Sequence, residues 1–118
     1  MLTSFSIGSP DARRVSRRIF RRRATLYDRN RRAAVGQTVD ISMQGIGVHV
    51  DFSLPVGAVC VIEFNASYTP VPQLLRLEGH VAYCVLAGID GFRIGFHVPQ
   101  VDAATRKQLE HIMSMQSY

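Results

Sequence analysis

The stretch RRVSRRIFRRRA, from Arg13 to Ala24, places seven arginines between Arg13 and Arg23 and no lysine among them. A guanidinium offers a planar fork of two parallel donors where an ammonium is a point charge, so the choice suits phosphate oxygens or the O6 and N7 edge of guanine. The charge is uneven along the chain. Residues 1–32 hold ten arginines against Asp11 and Asp28, a balance of +8, while residues 33–118 balance to −3, giving the net +5 of the whole. A mildly acidic body with a strongly basic arm points to an anionic ligand met at one end. A second polar cluster follows in DISMQG, Asp40 to Gly45, which supplies a carboxylate acceptor, a hydroxyl and a glycine. Asp and Ser in such a stretch also serve an ordinary turn by bonding their own backbone.

These groups must be positioned by a small fold. At 118 residues, 47% hydrophobic and 19% charged, the chain is the size of one globular domain with a single core. Residues 1–16 mix Ser, Gly, Pro and Arg and are expected to form a flexible N-terminal arm, with the folded domain over residues 17–118. From about Ala24 short alternating segments begin. ATLYD, a polar RNRR turn and AVGQTVDIS read as a hairpin; GIGVHV puts Ile46, Val48 and Val50 on one face against Gly47 and His49. AVCVIEF and LLRLEGHVAYC follow the LPVG turn, with Gly79 a natural place for a bulge or bend. After the GIDG turn signal, FRIGFHV directs Phe92, Ile94, Phe96 and Val98 to one side. Asp102 is a plausible N-cap for a helix over about residues 102–116, with Leu109, Ile112 and Met113 on one side. Six strands and one helix predict a mainly β fold, a small antiparallel β-barrel with the helix outside it or across an open end.

RRIFR at Arg17–Arg21 and DISMQG at Asp40–Gly45 together match RRxxR followed by DxSxxG, and in this the chain resembles PilZ domains, bacterial receptors for cyclic di-GMP. The LPVG turn, the GHVAY segment and the GFRIGFHV strand occur in that family's order, so the resemblance covers about residues 13–115. Each motif alone arises easily; both in order, about twenty residues apart and inside a β-barrel pattern, are specific. The resemblance implies that Arg17 and Arg21 take the ligand's phosphates or guanines, and that Asp40 and Ser42 are the polar pair beside them. Gly45 supplies either a turn with positive φ or a missing Cβ where a base approaches. Arg18 and Arg22 offer a second register, and Arg13 and Arg14 meet the outer guanines if an intercalated ligand dimer binds. Tyr83 aligns with an aromatic that stacks on guanine in some members, its plainer reading being a tyrosine on the outer barrel face. His49 borders the site or is simply solvated.

The implied function is a cyclic di-GMP receptor and adaptor without an output domain of its own, whose arm gathers on the ligand and which regulates a partner protein in trans. No cofactor beyond that ligand and no metal is implied. Two other classes compete: a basic-armed barrel that binds RNA or single-stranded DNA, which the fixed Asp40 and Ser42 disfavour, and a PilZ-like adaptor that engages protein only, disfavoured because both motifs are intact. Enzyme classes are weakest, since no nucleophile with a paired base, no metal cluster and no Gly-rich phosphate loop opening a helix is evident. Cys60 and Cys84 sit singly in apolar runs and read as reduced thiols; with no secretory signal and no run of 18 apolar residues, a cytoplasmic location and no membrane insertion are expected.

Overall fold

Period-two alternation closes a barrel here. The computed structural model describes residues 16–89 and 91–115. Among these, seven strands and one helix form: β1 Arg17–Ile19, β2 Arg23–Tyr27, β3 Ala33–Ser42, β4 Gly45–Val50, β5 Val59–Asn65, β6 Leu74–Leu86, β7 Phe92–His97 and α1 Ala103–Ser114. Antiparallel pairing runs β3-β2-β5-β6-β7-β4 and returns to β3, so six strands close on themselves and β1 is an added seventh. Closure leaves no open edge on the six. The inward residues are the apolar halves of the alternating segments: Ala24 and Leu26, Ile46, Val48 and Val50, Ile62 and Phe64, Leu75 and Leu77, Ile94 and Phe96. Burying each large aliphatic or aromatic side chain stabilises the fold by about 1.5–3 kcal/mol before the chain's ordering cost is counted.

The helix lies across one end of the barrel rather than along its wall, since it contacts β3 and β6, which stand on opposite sides of the ring. Leu109 and Ile112 are its buried pair, Met113 packs at the margin, and the Asp102 carboxylate accepts from the Thr105 N–H at 2.7 Å as the N-cap. Gln116 lies outside the described residues. Cys60 is buried and Cys84 half-buried, both as free thiols.

Two features differ from the expectation drawn from the sequence. The ladder passes through Gly79 without a shift, because that glycine is needed for the close approach of the His97 carbonyl; the register shift comes further on, at Ala82. And within the arginine-rich segment Arg17–Ile19 is itself a strand. Arg17, Arg18 and Ile19 pair with Ser42, Ile41 and Asp40 on the same side of β3 that β2 occupies further along.

The gap between β1 and β2 is repaired by one side chain. Thr38 is fully buried, and its hydroxyl donates to the Phe20 carbonyl at 2.5 Å while accepting from the Arg22 N–H at 2.7 Å. Phe20 itself is buried, edge-on to Phe64 at 5.5 Å. An apolar anchor and a buried hydroxyl thus hold RRIFR alongside β3. Thr38→Val keeps the shape and removes the hydroxyl, orphaning a carbonyl and an N–H at about 1–3 kcal/mol each. The variant should lose about 2–6 kcal/mol in urea unfolding; a midpoint like the wild type would show that Thr38 does not carry this junction.

Candidate functional site

The outer face of β3 presents Asp40 and Ser42 on either side of the inward Ile41. β1 sets Arg17 opposite Ser42 and diagonal to Asp40, where its Nη2 donates to Asp40 Oδ1 at 2.8 Å. The other carboxylate oxygen, Oδ2, accepts from Nη2 of Arg93 on β7. β4 lies between β3 and β7, and strands stand about 4.8 Å apart, so this contact reaches over an intervening backbone. That backbone is Gly47. A Cβ there would overlap the Asp40 carboxylate and come within 3.6 Å of Arg93 Nη2.

Cross-strand pairing extends the row: Ile19, Asp40, Gly47, Gly95 and Tyr83 stand directly opposite one another across β1, β3, β4, β7 and β6. The Tyr83 ring lies over Gly95 from the far side, as the Asp40 carboxylate lies over Gly47 from the near side, so the two glycines make room for these side chains, which cover the row. Two irregularities produce this alignment. Between Thr38 and Asp40 the register shifts by one, bringing Asp40 rather than Val39 opposite Gly47; between Val81 and Tyr83 it shifts again, bringing Tyr83 rather than Ala82 opposite Gly95. A bulge re-aims a side chain in this way.

Burial tends to raise the Asp40 pKa, but the Arg17 hydrogen bond, the charges of Arg17 and Arg93 and the Gly47 N–H outweigh it and hold the carboxyl below its ordinary value. The Arg17 pKa is raised in turn, first by the hydrogen bond to Asp40, against the opposing effect of burial. Arg17, Arg93 and the Gly47 N–H take three of the carboxylate's four acceptor positions, and the Arg17 fork keeps further donors. The arrangement therefore holds an anion-binding fork beside an acceptor packed over Gly47, with an aromatic ring alongside over Gly95.

The other expected site residues divide. Ser42 is buried, accepting from the Gln44 N–H at 3.2 Å, so its hydroxyl serves the turn beside the site. Gly45 makes the close approach rather than a turn of positive φ, which among described residues belongs to Gly57, Gly88 and Arg31; its missing Cβ faces the Phe96 carbonyl and Arg17 Nη1. Arg21 is exposed. Arg18 stands opposite the core residue Ile41 and is half-buried. Arg22 turns away from the row, with its guanidinium 4.8 Å from the Phe20 ring centre and 5.0 Å from that of Tyr68. Arg13 and Arg14 lie outside the described residues. His49 is exposed, opposite Arg93 and packed over Gly91. Arg93, Gly47 and Gly95 were not singled out in the sequence as site residues. Their signal was available: all three occupy the outward positions of alternating strands, where two glycines and one lone arginine are out of keeping with a merely solvated face. No group of three or more His, Cys, Asp or Glu placed to hold a metal occurs among the described residues.

A family model for the PilZ domain matches residues 11–114. The chain belongs to the PilZ domain family. Solved structures bear the same fold. The chain is similar to the inhibitor of motility MotI/DgrA of Bacillus subtilis, with TM-score 0.72 and 12% identity over 84% of this chain and 48% of that one. It is similar to the PilZ domain of YcgR from Escherichia coli, solved with c-di-GMP, with TM-score 0.64 and 17% identity over 84% and 86%. A tetrameric PilZ protein of Xanthomonas campestris, self-assembled through a helical bundle, follows at TM-score 0.55 and 20% identity over 68% and 43%. The chain thus spans about half the length of MotI/DgrA and nearly all of the YcgR PilZ domain. No curated protein matches the sequence. Within the PilZ frame, RRxxR lies on β1 and just beyond it, and DxSxxG on β3 and the following turn, as adjacent antiparallel strands.

Two measurements check this geometry. Because the folded Asp40 pKa is depressed, its contribution to stability is present above the unfolded carboxylate value near 3.9 and fades as pH falls through the lower folded value. The stability difference between wild type and Asp40→Asn should accordingly be constant from pH 7 to 5 and shrink below about pH 4; a difference independent of pH would mean that Asp40's charge is not what holds the PilZ site. Gly47→Ala should displace the carboxylate and separate it from Arg93. We expect a clearly lowered melting temperature and large amide shift changes at Asp40 and Arg93 in NMR spectra, against which an unperturbed spectrum would count.

Proposed function

We propose that this PilZ domain is a receptor for cyclic di-GMP that acts as an adaptor, regulating a partner protein in trans. One observation carries the reading: the two motifs, about twenty residues apart in sequence, meet as neighbouring strands, with Arg17, Asp40 and Tyr83 on one face of the barrel. The fork suits phosphate or guanine O6 and N7, and the carboxylate accepts from guanine N1–H and its amino group. Tyr83 provides a stacking face worth about 1–3 kcal/mol for a base. Arg21, exposed just beyond β1, supplies the second fork, with Arg18 and Arg22 as the alternative register and Ser42 and Gly45 shaping the turn beneath Arg17. Arg13 and Arg14 would serve a second, intercalated copy of the ligand.

The adaptor role follows from the chemistry at hand. The described residues form a binding surface with no paired nucleophile and base at it, so ligand binding is read out as a change of charge and shape on the barrel face. No helix among the described residues is long and apolar enough to cross a membrane, and we place the domain in the bacterial cytoplasm, where cyclic di-GMP is met.

Calorimetric titration with cyclic di-GMP tests the proposal. Wild type should saturate at one or two ligands per chain and reject GTP, while Arg21→Ala, losing a charge-assisted contact of about 1.5–3 kcal/mol, should bind roughly tenfold to a hundredfold more weakly with an unchanged fold. Full affinity in Arg21→Ala would move the register to Arg18 and Arg22. Absence of any binding, with steeply salt-dependent uptake of single-stranded nucleic acid instead, would favour the nucleic-acid reading.

A further inference from the structure

A ligand that takes the Arg17 fork competes for it with Asp40. The Asp40 side chain is only 13% exposed, and a carboxylate so placed is strongly unfavourable without a counter-charge. If Arg17 were its sole partner, each ligand-binding event would strip it, and the cost would be set against affinity. The second arginine removes that difficulty. Arg93 reaches Asp40 Oδ2 from the opposite side, over Gly47, and uses a different oxygen from the one held by Arg17, so either arginine can leave without disturbing the other's contact. Arg93 Nε is buried with no hydrogen-bond partner among the described residues, so its guanidinium is placed at some cost and is held by the carboxylate it serves.

We propose that Arg93 is the positioning residue of this site: it keeps Asp40 charged and fixed over Gly47 while Arg17 transfers from Asp40 to the ligand. Its ligand rests on the receptor reading above, but its geometry does not. The groups facing Asp40 are Arg17 from β1, the Gly47 N–H from β4 and Arg93 from β7, with Tyr83 of β6 beyond Gly95. Arg17→Gln therefore imitates the departure of Arg17 with no ligand present.

Carbon-13 NMR titration of the Asp40 carboxyl in wild type, Arg17→Gln, Arg93→Gln and the double variant is the decisive experiment. Asp40 should still titrate below the ordinary carboxylate value near 3.9 in Arg17→Gln, and clearly higher in the double variant, where burial is opposed only by the Gly47 N–H. An Asp40 that titrates as high in Arg17→Gln as in the double variant would overturn the proposal. The ligand arm uses cyclic di-GMP. Arg93→Gln should weaken binding about tenfold in the native background and have little effect in Asp40→Asn, the mark of action through Asp40. Arg93→Lys, which keeps the charge, should recover part of the loss. Equal losses in both backgrounds would mean that Arg93 touches the ligand itself, contrary to the proposal. Should the wild type fail to bind cyclic di-GMP, the receptor reading falls and the carboxyl titration alone decides the role of Arg93.

Discussion

A carboxylate on one strand meets an arginine two strands away only if the residue between them has no side chain. Asp40, Gly47 and Arg93 satisfy that condition, and much of the rest of the structure serves it. The shift in register after Thr38 aims Asp40 at Gly47, and β7 must pair with β4 in the register that puts Arg93 one outward step from Gly95. The closed barrel fixes both relationships, because a strand in a closed ring cannot slide without breaking pairing on two sides. Arg17 then adds a second cation from the outside, on a strand held by Phe20 and Thr38.

This division of labour separates what folds from what binds. The core half of each strand is apolar and carries the stability; the outward half is depleted of side chains at Gly45, Gly47 and Gly95 and charged around them. The glycines cost backbone entropy in strand interiors. That cost is intelligible where side chains must cross a strand: Asp40 and Arg93 meet over Gly47, and the Tyr83 ring lies over Gly95.

The barrel was legible because alternation is a local signal: GIGVHV, AVCVIEF and FRIGFHV each declare their inner face within six or seven residues. The helix and its Asp102 cap were legible for the same reason, though its seat across the barrel end depends on which strands face each other and is not encoded locally. β1 was hidden. Three residues with two arginines show no alternation, and they become a strand because β3 runs on past the end of β2 and pairs its last residues with them. Thr38 was hidden as well, being a polar residue whose partner is the gap between β1 and β2, eighteen residues earlier at Phe20. Of the site, the two motifs announced Arg17 and Asp40 through a family pattern, while Arg93 lies 53 residues beyond Asp40 and belongs to neither motif. The bulge that lines up Tyr83 was expected at Gly79 and falls at Ala82, since a glycine marks close approach as readily as a shift in register.

Under the proposed function a cyclic dinucleotide docks beside Tyr83 and draws Arg17 from Asp40. The decisive measurement is titration of the isotope-labelled protein with cyclic di-GMP, followed through the backbone amides and the arginine Nε–H resonances. Saturable shifts should concentrate at Gly45, Gly47, Gly95 and Tyr83, together with a change in the Arg17 side-chain resonance, and the Asn30–Arg32 turn on the far side of the β2–β3 hairpin should respond little. Shifts confined to that basic turn, or spread evenly over every arginine, would rule out exchange of Arg17 from Asp40 to the ligand.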